Sequence, residues 1–328
     1  MPIDRRTMLG AAPLLLAGSR AGAAPAQDAV PQDAASQDAG TIPGVYRYRL
    51  GDATVTALHE GTLGRPLDAS FIPNAPIEAV RAAMARAFMP PDRLDITFTT
   101  LLVERGGHRI LVDTGFADNG PPGTGGTLRG LAAAGIDRAS IDTVVLSHFH
   151  LDHVLGLRLK DGGLTYPNAE VLVPGPEWAF WMDEGLATRA PERLRPNVQA
   201  VARIFGPGGP RVTQFTWDRE IRPGLTALPA PGHTPGHTVF LLEAGPGRLM
   251  LMSDVTNHPA LFVRNPDWSA VFDMDADQAR ATRHRLLDRA AADRVQAAFY
   301  HAPFPATGHV TKSGEGYELV PVQWGAPT

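Results

Sequence analysis

The sequence predicts an α/β fold with more than one β-sheet, helices on the outer faces, and chemical groups gathered at one edge of the sheets. Three observations lead to this prediction. Short apolar runs rich in β-branched residues come first, then mix with helical patterns, and then return beside a final helix. Several runs end directly before a histidine or an aspartate. Loops that follow strands commonly carry the chemistry of a rigid scaffold.

Ten apolar runs have the length and composition of β-strands. Most are bounded by glycine, proline or polar residues, which favour turns. The predicted strands are residues 46–50, 53–58, 96–104, 109–112, 143–146, 170–173, 225–228, 238–243, 248–252 and 296–300.

Five segments show helical patterns, at residues 76–88, 128–134, 176–182, 197–205 and 277–292. Pro76 suits the first turn of its helix, because the N–H that proline lacks would be unsatisfied there. The last helix is the clearest, since its apolar residues share one face: Ala281, Leu286, Leu287 and Ala290.

The composition excludes several classes of function. Of 328 residues, 44% are hydrophobic and 20% are charged, which is ample for a globular core. The net charge is −4 and the basic residues are scattered, so we expect no nucleic-acid partner. Cysteine is absent, which excludes disulfides, thiolate ligands and a cysteine nucleophile. Any bound metal must therefore be held by His, Asp or Glu.

The N-terminus has the pattern of an export signal. Arg5 and Arg6 precede a short apolar run at 11–17, and small residues follow at 21–26. The run is too short to anchor the protein in a membrane. The arginine pair is typical of a twin-arginine signal, although a general secretory signal could also hold two arginines. We predict a signal peptide over residues 1–26 and a periplasmic or secreted protein.

The segment that follows the signal has no apolar periodicity and is rich in Ala, Asp, Gln and Ser. This composition predicts a disordered linker over residues 27–43. No second linker interrupts the rest of the chain. We therefore expect one catalytic domain over residues 44–328.

The central motif is the segment 144–153, VVLSHFHLDH, in which an apolar strand leads into three histidines and an aspartate. Alternate side chains of an extended segment point to the same side, so His148 and His150 can face one metal ion. Asp152 and His153 follow as the chain turns and can reach a second ion. Burying such groups without a partner costs several kcal/mol each, which favours a bound cation.

Three further candidate ligands follow other predicted strands. His233 lies in the segment 231–238, PGHTPGHT, whose glycines permit a tight loop. Asp254 comes after the strand at 248–252, and His301 after the strand at 296–300. We expect these loops to converge at one sheet edge.

The pattern HxHxDH, followed by a glycine-flanked His, a strand-end Asp and a strand-end His, resembles the metallo-β-lactamase superfamily. The resemblance implies that His148, His150 and His233 hold one metal ion. It also implies that Asp152, His153 and His301 hold a second ion, with Asp254 bridging the two. Nitrogen and carboxylate ligands suit divalent ions, of which zinc is the one we expect.

A narrower resemblance is to the methyl parathion hydrolase branch, which includes quorum-quenching lactonases, aryl esterases and organophosphate hydrolases. The segments that carry it are 44–52, 111–115, 301–305, 308–309, 316–317 and 320–322. It implies an αββα sandwich of two mixed sheets with helices on the outer faces, two zinc ions and, in many members, a homodimer. The absence of cysteine departs from lactamases that use a Cys ligand, and Asp152 in the first motif departs from the redox di-iron relatives.

These observations predict an exported dinuclear-metal hydrolase that cleaves an apolar lactone or aryl ester. Paired cations lower the pKa of water towards about 7, so hydroxide becomes available as the nucleophile. Asp254 bridges the ions, and Asp152 serves both as ligand and as proton shuttle. An organophosphate triester is the alternative substrate. Thioester hydrolysis, persulfide oxidation and a non-catalytic metal-binding role are less favoured, because no basic cluster suits the first two and the ligand set is complete.

The substrate pocket is predicted from residues that flank these motifs. We expect its lining to include Phe149, Trp178, Trp181, His258 and Phe304, although Trp178 and Trp181 at helical spacing could instead be core residues. We expect Asp113 and His237 to support the ligands rather than bind metal. Asp113 ends a strand near the same edge and could orient a ligand histidine, or could cap a turn.

Overall fold

A computed structural model describes residues 44–323 and Gly325. The predicted signal peptide and linker lie outside the described residues. The strands are Val45–Leu50 (β1), Ala53–Pro66 (β2), Arg93–Arg105 (β3), His108–Val112 (β4), Thr143–Val145 (β5), Glu170–Pro174 (β6), Arg211–Phe215 (β7), Arg219–Arg222 (β8), Leu225–Pro229 (β9), Thr238–Ala244 (β10), Gly247–Ser253 (β11), Gln296–Phe299 (β12), Thr307–Ser313 (β13) and Gly316–Pro321 (β14).

The α-helices are Ile77–Arg86 (α1), Gly126–Ala133 (α2), Leu151–Val154 (α3), Gly175–Trp181 (α4), Leu186–Arg189 (α5), Arg195–Phe205 (α6), Pro259–Phe262 (α7) and Ala276–Ala292 (α8). Short 3-10 turns lie at Arg138–Ser140, Leu155–Leu157 and Glu192–Leu194. None of the helices in the described part of the chain combines the length and apolar character of a membrane span.

Two mixed sheets contain these strands. The first has the order β1-β2-β3-β4-β5-β6-β7, antiparallel up to β4 and parallel from β4 to β7. The second has the order β14-β13-β12-β11-β10-β9-β8, and its one parallel pair among the described strands is β11 with β12. β5 and β12 both lie inside their sheets, so the loops that follow them are held on two sides.

Three apolar layers show how the sheets and helices stack. Val55 and Val103 of the first sheet pack with Phe240 and Leu251 of the second, which places the two sheets face to face. The other side of the first sheet packs against α2, α4 and α6. The other side of the second sheet packs against α8, through residues that include Leu286 and Leu287. This order of layers is the predicted αββα sandwich, and the fold class is confirmed.

All ten predicted strands and all five predicted helices occur, and apart from one end of β2 their ends agree with the prediction to within three residues. The largest difference is β2, which continues eight residues beyond the predicted end to Pro66. Four strands were missed: β7, β8, β13 and β14. Three short helices, α3, α5 and α7, were missed as well.

Candidate metal centre

Four chain segments deliver seven His and Asp side chains to one edge of the sandwich. After β5 the chain passes through His148 and His150, and α3 then carries Asp152 and His153. The loop between β9 and β10 carries His233. Asp254 follows the end of β11 directly, and His301 comes two residues after the end of β12. The convergence predicted from strand ends is therefore present.

One group of four side chains consists of His148, His150, His233 and Asp254, whose potential ligand atoms all lie within 4.8 Å of one another. The Nδ1 atom of His150 is 3.1 Å from Nε2 of His148 and 2.9 Å from Nε2 of His233. Oδ2 of Asp254 is 3.3 Å from Nε2 of His233. Three imidazole nitrogens and a carboxylate oxygen thus face a common point.

A second group consists of Asp152, His153, His301 and again Asp254, with the same 4.8 Å limit. Nε2 of His153 lies 3.2 Å from Oδ1 of Asp254 and 3.3 Å from Oδ2 of Asp152. Nε2 of His301 lies 2.9 Å from Oδ2 of Asp254. Asp254 is therefore shared by the two groups, one oxygen facing His153 and the other facing His233 and His301.

Carboxylates hold the outer nitrogens of two of these histidines. Nδ1 of His153 is 2.9 Å from Oδ2 of Asp113, and Nδ1 of His233 is 2.9 Å from Oδ1 of Asp273. A carboxylate accepts the N–H of the imidazole, so the lone pair is left on Nε2 and points into the centre. This tautomer is the one that binds a cation.

Neutral oxygens do the same for two further histidines. Nδ1 of His148 lies 3.0 Å from the hydroxyl of Ser147, and Nδ1 of His301 lies 3.1 Å from the carbonyl of Thr97. The inward Nε2 atoms of both rings are again free to act as ligands.

Two buried atoms of the centre lie close together without forming a hydrogen bond. Oδ1 of Asp254 and Nε2 of His153 are buried without a hydrogen-bond partner in the part of the chain that the structure describes. Burial lowers the pKa of His150 to about 3. Burial alone would raise the pKa of Asp254, but His301 and His153 lower it well below its usual range. Closely spaced imidazole nitrogens around an ionised, buried carboxylate form a donor set that fits two divalent cations.

His237 and Asp113 lie beside the centre, in supporting positions. His237 donates from Nδ1 to the carbonyl of Ala230 at 2.9 Å, and its Nε2 accepts the N–H of Asp254 at 3.3 Å. Asp113 accepts from the N–H and the hydroxyl of Ser147, both at 2.8 Å, in addition to His153. Neither residue belongs to the two groups of potential ligands.

Sequence reasoning missed Glu177, a buried carboxylate in the first turn of α4. Its Oε1 accepts from the N–H of Phe149 at 2.9 Å and from the indole N–H of Trp181 at 2.7 Å. Its Oε2 accepts from the hydroxyl of Thr234 and the N–H of Gly236, both at 2.8 Å. Glu177 therefore ties the loop of His148 and His150 to the loop of His233.

Asp273 was missed for a different reason. It lies 40 residues from His233 in the sequence, in a loop before α8, and no local pattern marks it. An acidic residue in a first helical turn, such as Glu177, is usually explained by the helix dipole. Both residues could have been found only from the folded geometry.

A cavity of about 610 Å³ opens onto the centre. Its floor includes His150, Asp152, His233, Asp254 and His301. Most of the other lining residues are apolar: Leu63, Ile96, Phe98, Phe116, Leu151, Leu194, Val271 and Phe272. Four polar side chains lie among them: Arg65, Arg193, Asn197 and Asn257.

The five residues predicted to line the substrate pocket lie outside the lining of this cavity. Phe149 is fully buried in the core, where its ring packs on Trp178 and Phe205. Trp178 contacts the same core, and Trp181 is buried with its indole N–H bound to Glu177. Phe149 points away from the centre because side chains alternate along the extended segment, and its two neighbours are the histidines that face inward.

His258 and Phe304 line another cavity, of about 380 Å³, together with residues such as Met89 and Leu319. His258 directly precedes α7 and caps it, because its Nδ1 accepts the N–H of Ala260 at 3.2 Å. Closeness to Asp254 in the sequence did not place His258 on the wall of the main cavity. All five predicted lining residues are thus absent from that wall among the described residues.

Parts of this chain are similar in sequence to curated proteins. The chain is 28% identical over 199 residues to a tRNA N6-adenosine threonylcarbamoyltransferase of Erythrobacter litoralis, covering 58% of this chain and 56% of that protein. It is 46% identical over 57 residues to a ribonuclease Z of Bradyrhizobium, covering 17% of this chain and 16% of that protein. The chain therefore spans less than two thirds of the length of either curated relative.

Two solved structures match much more of the chain. AidC, described as a dizinc quorum-quenching lactonase in complex with a product, is 26% identical with a TM-score of 0.79, covering 87% of this chain and 99% of AidC. The hydrolase AbOPH is 26% identical with a TM-score of 0.81, covering 88% of this chain and 100% of AbOPH. Because the family model of the metallo-beta-lactamase superfamily also matches residues 94–295, more than half of the chain, this protein belongs to that superfamily and is a metal-dependent hydrolase.

Proposed function

We propose that this enzyme hydrolyses an apolar lactone or aryl ester at a centre of two divalent metal ions. The observation that carries the proposal is the pair of donor groups that share Asp254 at the floor of a mostly apolar cavity of about 610 Å³. A cavity of this size accommodates a small organic molecule. The likeness to AidC supports a lactone in particular.

The residues of the two groups would hold the ions as their geometry indicates. His148, His150 and His233 would bind one ion, whereas Asp152, His153 and His301 would bind the other, with Asp254 between them. When bound, such a metal pair activates water and stabilises the oxyanion that forms during hydrolysis. Zinc fits the nitrogen and carboxylate donors, and elemental analysis of the purified protein will test its identity.

Asp152 is placed to move a proton during the reaction. Its side chain is 18% exposed, lines the cavity, and has Oδ2 at 3.3 Å from His153 and 3.6 Å from His301. The hydroxyl of Tyr300 donates to the backbone carbonyl of Asp152 at 2.6 Å and fixes the short helix α3. Asp152 can thus accept a proton from the attacking water and pass it to the leaving oxygen.

An organophosphate triester is the second candidate substrate. A neutral triester suits the mostly apolar walls of the cavity, and attack at phosphorus also develops negative charge on oxygen. The relative rates on the two classes of substrate decide between them.

The test compares kcat/KM for acyl-homoserine lactones, dihydrocoumarin, aryl esters and methyl parathion on the zinc-loaded enzyme. We expect the highest value for a lactone or an aryl ester, and loss of activity after chelation that returns when zinc is restored. Asp254→Ala should abolish turnover and lower the metal content. Full activity of Asp254→Ala, or of metal-free protein, would refute the assignment of the centre.

We also propose that the enzyme is exported through its twin-arginine signal and acts outside the cytoplasm. Arg5 and Arg6 before the apolar run support this proposal. In a strain that lacks twin-arginine transport, the full-length precursor should remain in the cytoplasm. Replacing both arginines by lysine should have the same effect, and normal processing of that variant would contradict the proposed route.

A homodimer is part of the same proposal. Its support in the structure is Phe88, which follows α1 and is 99% exposed beside the cavity of Met89 and Phe304. Together with Met89 and Phe304, Phe88 could form an apolar surface for a second copy of the chain to cover.

A further inference from the structure

Arg65 lies near the end of β2, on the wall of the cavity that opens onto the metal centre. Its guanidinium carbon is 4.8 Å from the centre of the Phe71 ring and 5.6 Å from that of Phe272. Stacking on two aromatic faces holds a guanidinium in place, because the positive charge is attracted to the ring faces. The position of the side chain is therefore defined before any substrate arrives.

The hydrogen-bonding capacity of Arg65 is not used up by the protein. Its Nε is buried without a hydrogen-bond partner among the described residues. The nearby acid Asp68 instead accepts hydrogen bonds from the N–H and the hydroxyl of Ser70, at 2.8 and 2.5 Å. Arg93, on the neighbouring strand, has the contrasting arrangement, because its Nε is paired with Asp95 at 2.7 Å.

We propose that Arg65 is a specificity-determining residue that donates hydrogen bonds to a carbonyl oxygen in the arm of the substrate, away from the scissile ester. This inference rests on the proposed hydrolysis of a lactone or ester. A guanidinium on a largely apolar wall is the group best suited to fix a polar atom of a substrate that is otherwise apolar.

A neutral acceptor fits Arg65 better than a carboxylate. Arg65 already has a carboxylate in its vicinity, Asp68. Hydrogen bonds from Ser70 lower the pKa of Asp68, and the positive charge of Arg65 lowers it further. The wall around Arg65 is mostly apolar, with Leu63, Ile96 and Phe98 among its residues, so a charged arm would lose its hydration there. An amide or keto oxygen gains the hydrogen bond from the guanidinium without burying a charge of its own.

The experiment compares two lactones that differ only in the arm. One is N-octanoyl-homoserine lactone, which has an amide carbonyl, and the other is an α-alkyl-γ-butyrolactone with an arm of equal length. Arg65→Met keeps the length of the side chain and removes its donors, and Arg65→Lys keeps the charge but removes the planar fork. Arg93→Met, a change of the same kind outside the cavity, is the matched control.

We expect Arg65→Met to lower kcat/KM for the amide-bearing lactone roughly 10- to 100-fold, as for other hydrogen bonds to a charged group. The alkyl lactone should change less than about 3-fold, Arg65→Lys should be intermediate, and Arg93→Met should leave both substrates unaffected. Calorimetric binding of the corresponding γ-lactams, which resist hydrolysis, should show the same difference in the dissociation constant.

Equal losses on both lactones, or equal weakening for both lactams, would overturn the role of Arg65. A wild-type enzyme that hydrolyses neither lactone would instead overturn the proposed function. The lactam measurements would still decide on Arg65 in that case, because they measure binding alone. Thermal unfolding of each variant shows whether a loss of activity is caused by misfolding. If Arg65→Met does not fold, Arg65→Lys takes its place in the comparison with the wild type.

Discussion

At the scale of single residues, the centre depends on groups that do not face the metal ions themselves. Asp273 accepts from His233 at 2.9 Å and also lies 3.4 Å from Nη2 of the buried Arg283. The N–H of Ala270 donates to the same carboxylate at 3.1 Å. The negative charge of Asp273 therefore orients His233 and makes its inner nitrogen a stronger ligand.

We predict that Asp273→Asn lowers metal affinity by roughly 10- to 100-fold, the usual range for a group that orients a ligand histidine. Competition with a chromophoric chelator measures this affinity. The control is Asp267→Asn. Asp267 is not one of the potential ligands, and its Oδ1 lies 2.7 Å from Nε2 of His284 in an exposed ion pair. Unchanged affinity in Asp273→Asn would show that the backbone alone fixes His233.

Glu177 is the second residue of this kind, because it accepts four hydrogen bonds from the two ligand loops and α4. Glutamine in its place has one acceptor oxygen, and its NH₂ group would oppose two of these donors. We predict that Glu177→Gln lowers the free energy of unfolding by about 1–3 kcal/mol, the cost of leaving buried donors unpaired. It should also lower metal affinity, since both loops lose a common support.

Glu60 offers the matched control for Glu177. It is equally buried and accepts from the N–H groups of Phe116, Gly125 and Thr127 at 3.0, 2.7 and 2.7 Å. None of these partners lies in a ligand loop. Glu60→Gln should therefore be destabilised as well but keep its metal affinity, both measured as for Glu177→Gln. The same loss of affinity in both variants would assign the effect to general destabilisation.

At the scale of elements, the loop between β9 and β10 must pass close to α8 in order to present His233. The carbonyls of Gly232 and His233 accept from the N–H groups of Asp275 and Met274 at 2.9 and 3.1 Å. Gly232 has φ +126°, and a Cβ there would lie 2.2 Å from the backbone nitrogen of Ala279. Only glycine lets this loop dock on the start of the helix.

We predict that Gly232→Ala lowers the free energy of unfolding by roughly 2–6 kcal/mol, the sum of backbone strain and overpacking. Gly314→Ala is the control, because Gly314 has φ +60° but nothing within 4 Å of its added Cβ. It should cost about 1–2 kcal/mol from backbone strain alone. Urea unfolding of both variants gives the comparison, and equal costs would show that the loop can move away from α8.

The elements that could be predicted are those with buried apolar faces. β4, β5 and β6 are short apolar runs buried by the sheet pairs and helices around them, and each was found. β7 and β8 were missed because each lies at the edge of a sheet and most of its residues are exposed or half-exposed. Polar edge strands form through pairing with a neighbour, which a local pattern does not contain.

The inner residues of the site and its cavity wall differ in how far a local sequence pattern marks them. The inner His and Asp residues were predictable because they follow apolar strands within a few positions, and strand ends meet at one edge. The cavity wall was not predictable, because it comes from distant segments, such as Arg65 on β2 and Val271 before α8. Aromatic residues close to the motif, such as Phe149, belong to the core that supports the motif.

At the scale of the whole molecule, the surface near the end of α1 combines a projecting side chain with a neighbouring hollow. Phe88 is 99% exposed and has φ +57°, an unusual conformation for an aromatic residue. Met89 and Phe304 line the cavity of about 380 Å³ beside it. In a dimer with twofold symmetry, the same surface serves both copies, so Phe88 of each could fill the hollow of the other.

We predict that the wild-type enzyme is a dimer in sedimentation equilibrium and that Phe88→Asp shifts it to monomer, because burial in the contact would remove the hydration of the carboxylate. Phe88→Leu, which keeps an apolar side chain, should remain dimeric with weaker association. If Phe88 is a hot spot at the centre of the interface, its replacement by Asp should cost about 2 kcal/mol or more, a shift of about 30-fold in the dissociation constant. A monomeric wild type, or an unchanged dimer in Phe88→Asp, would exclude this surface as the interface and leave Phe88 exposed for another partner.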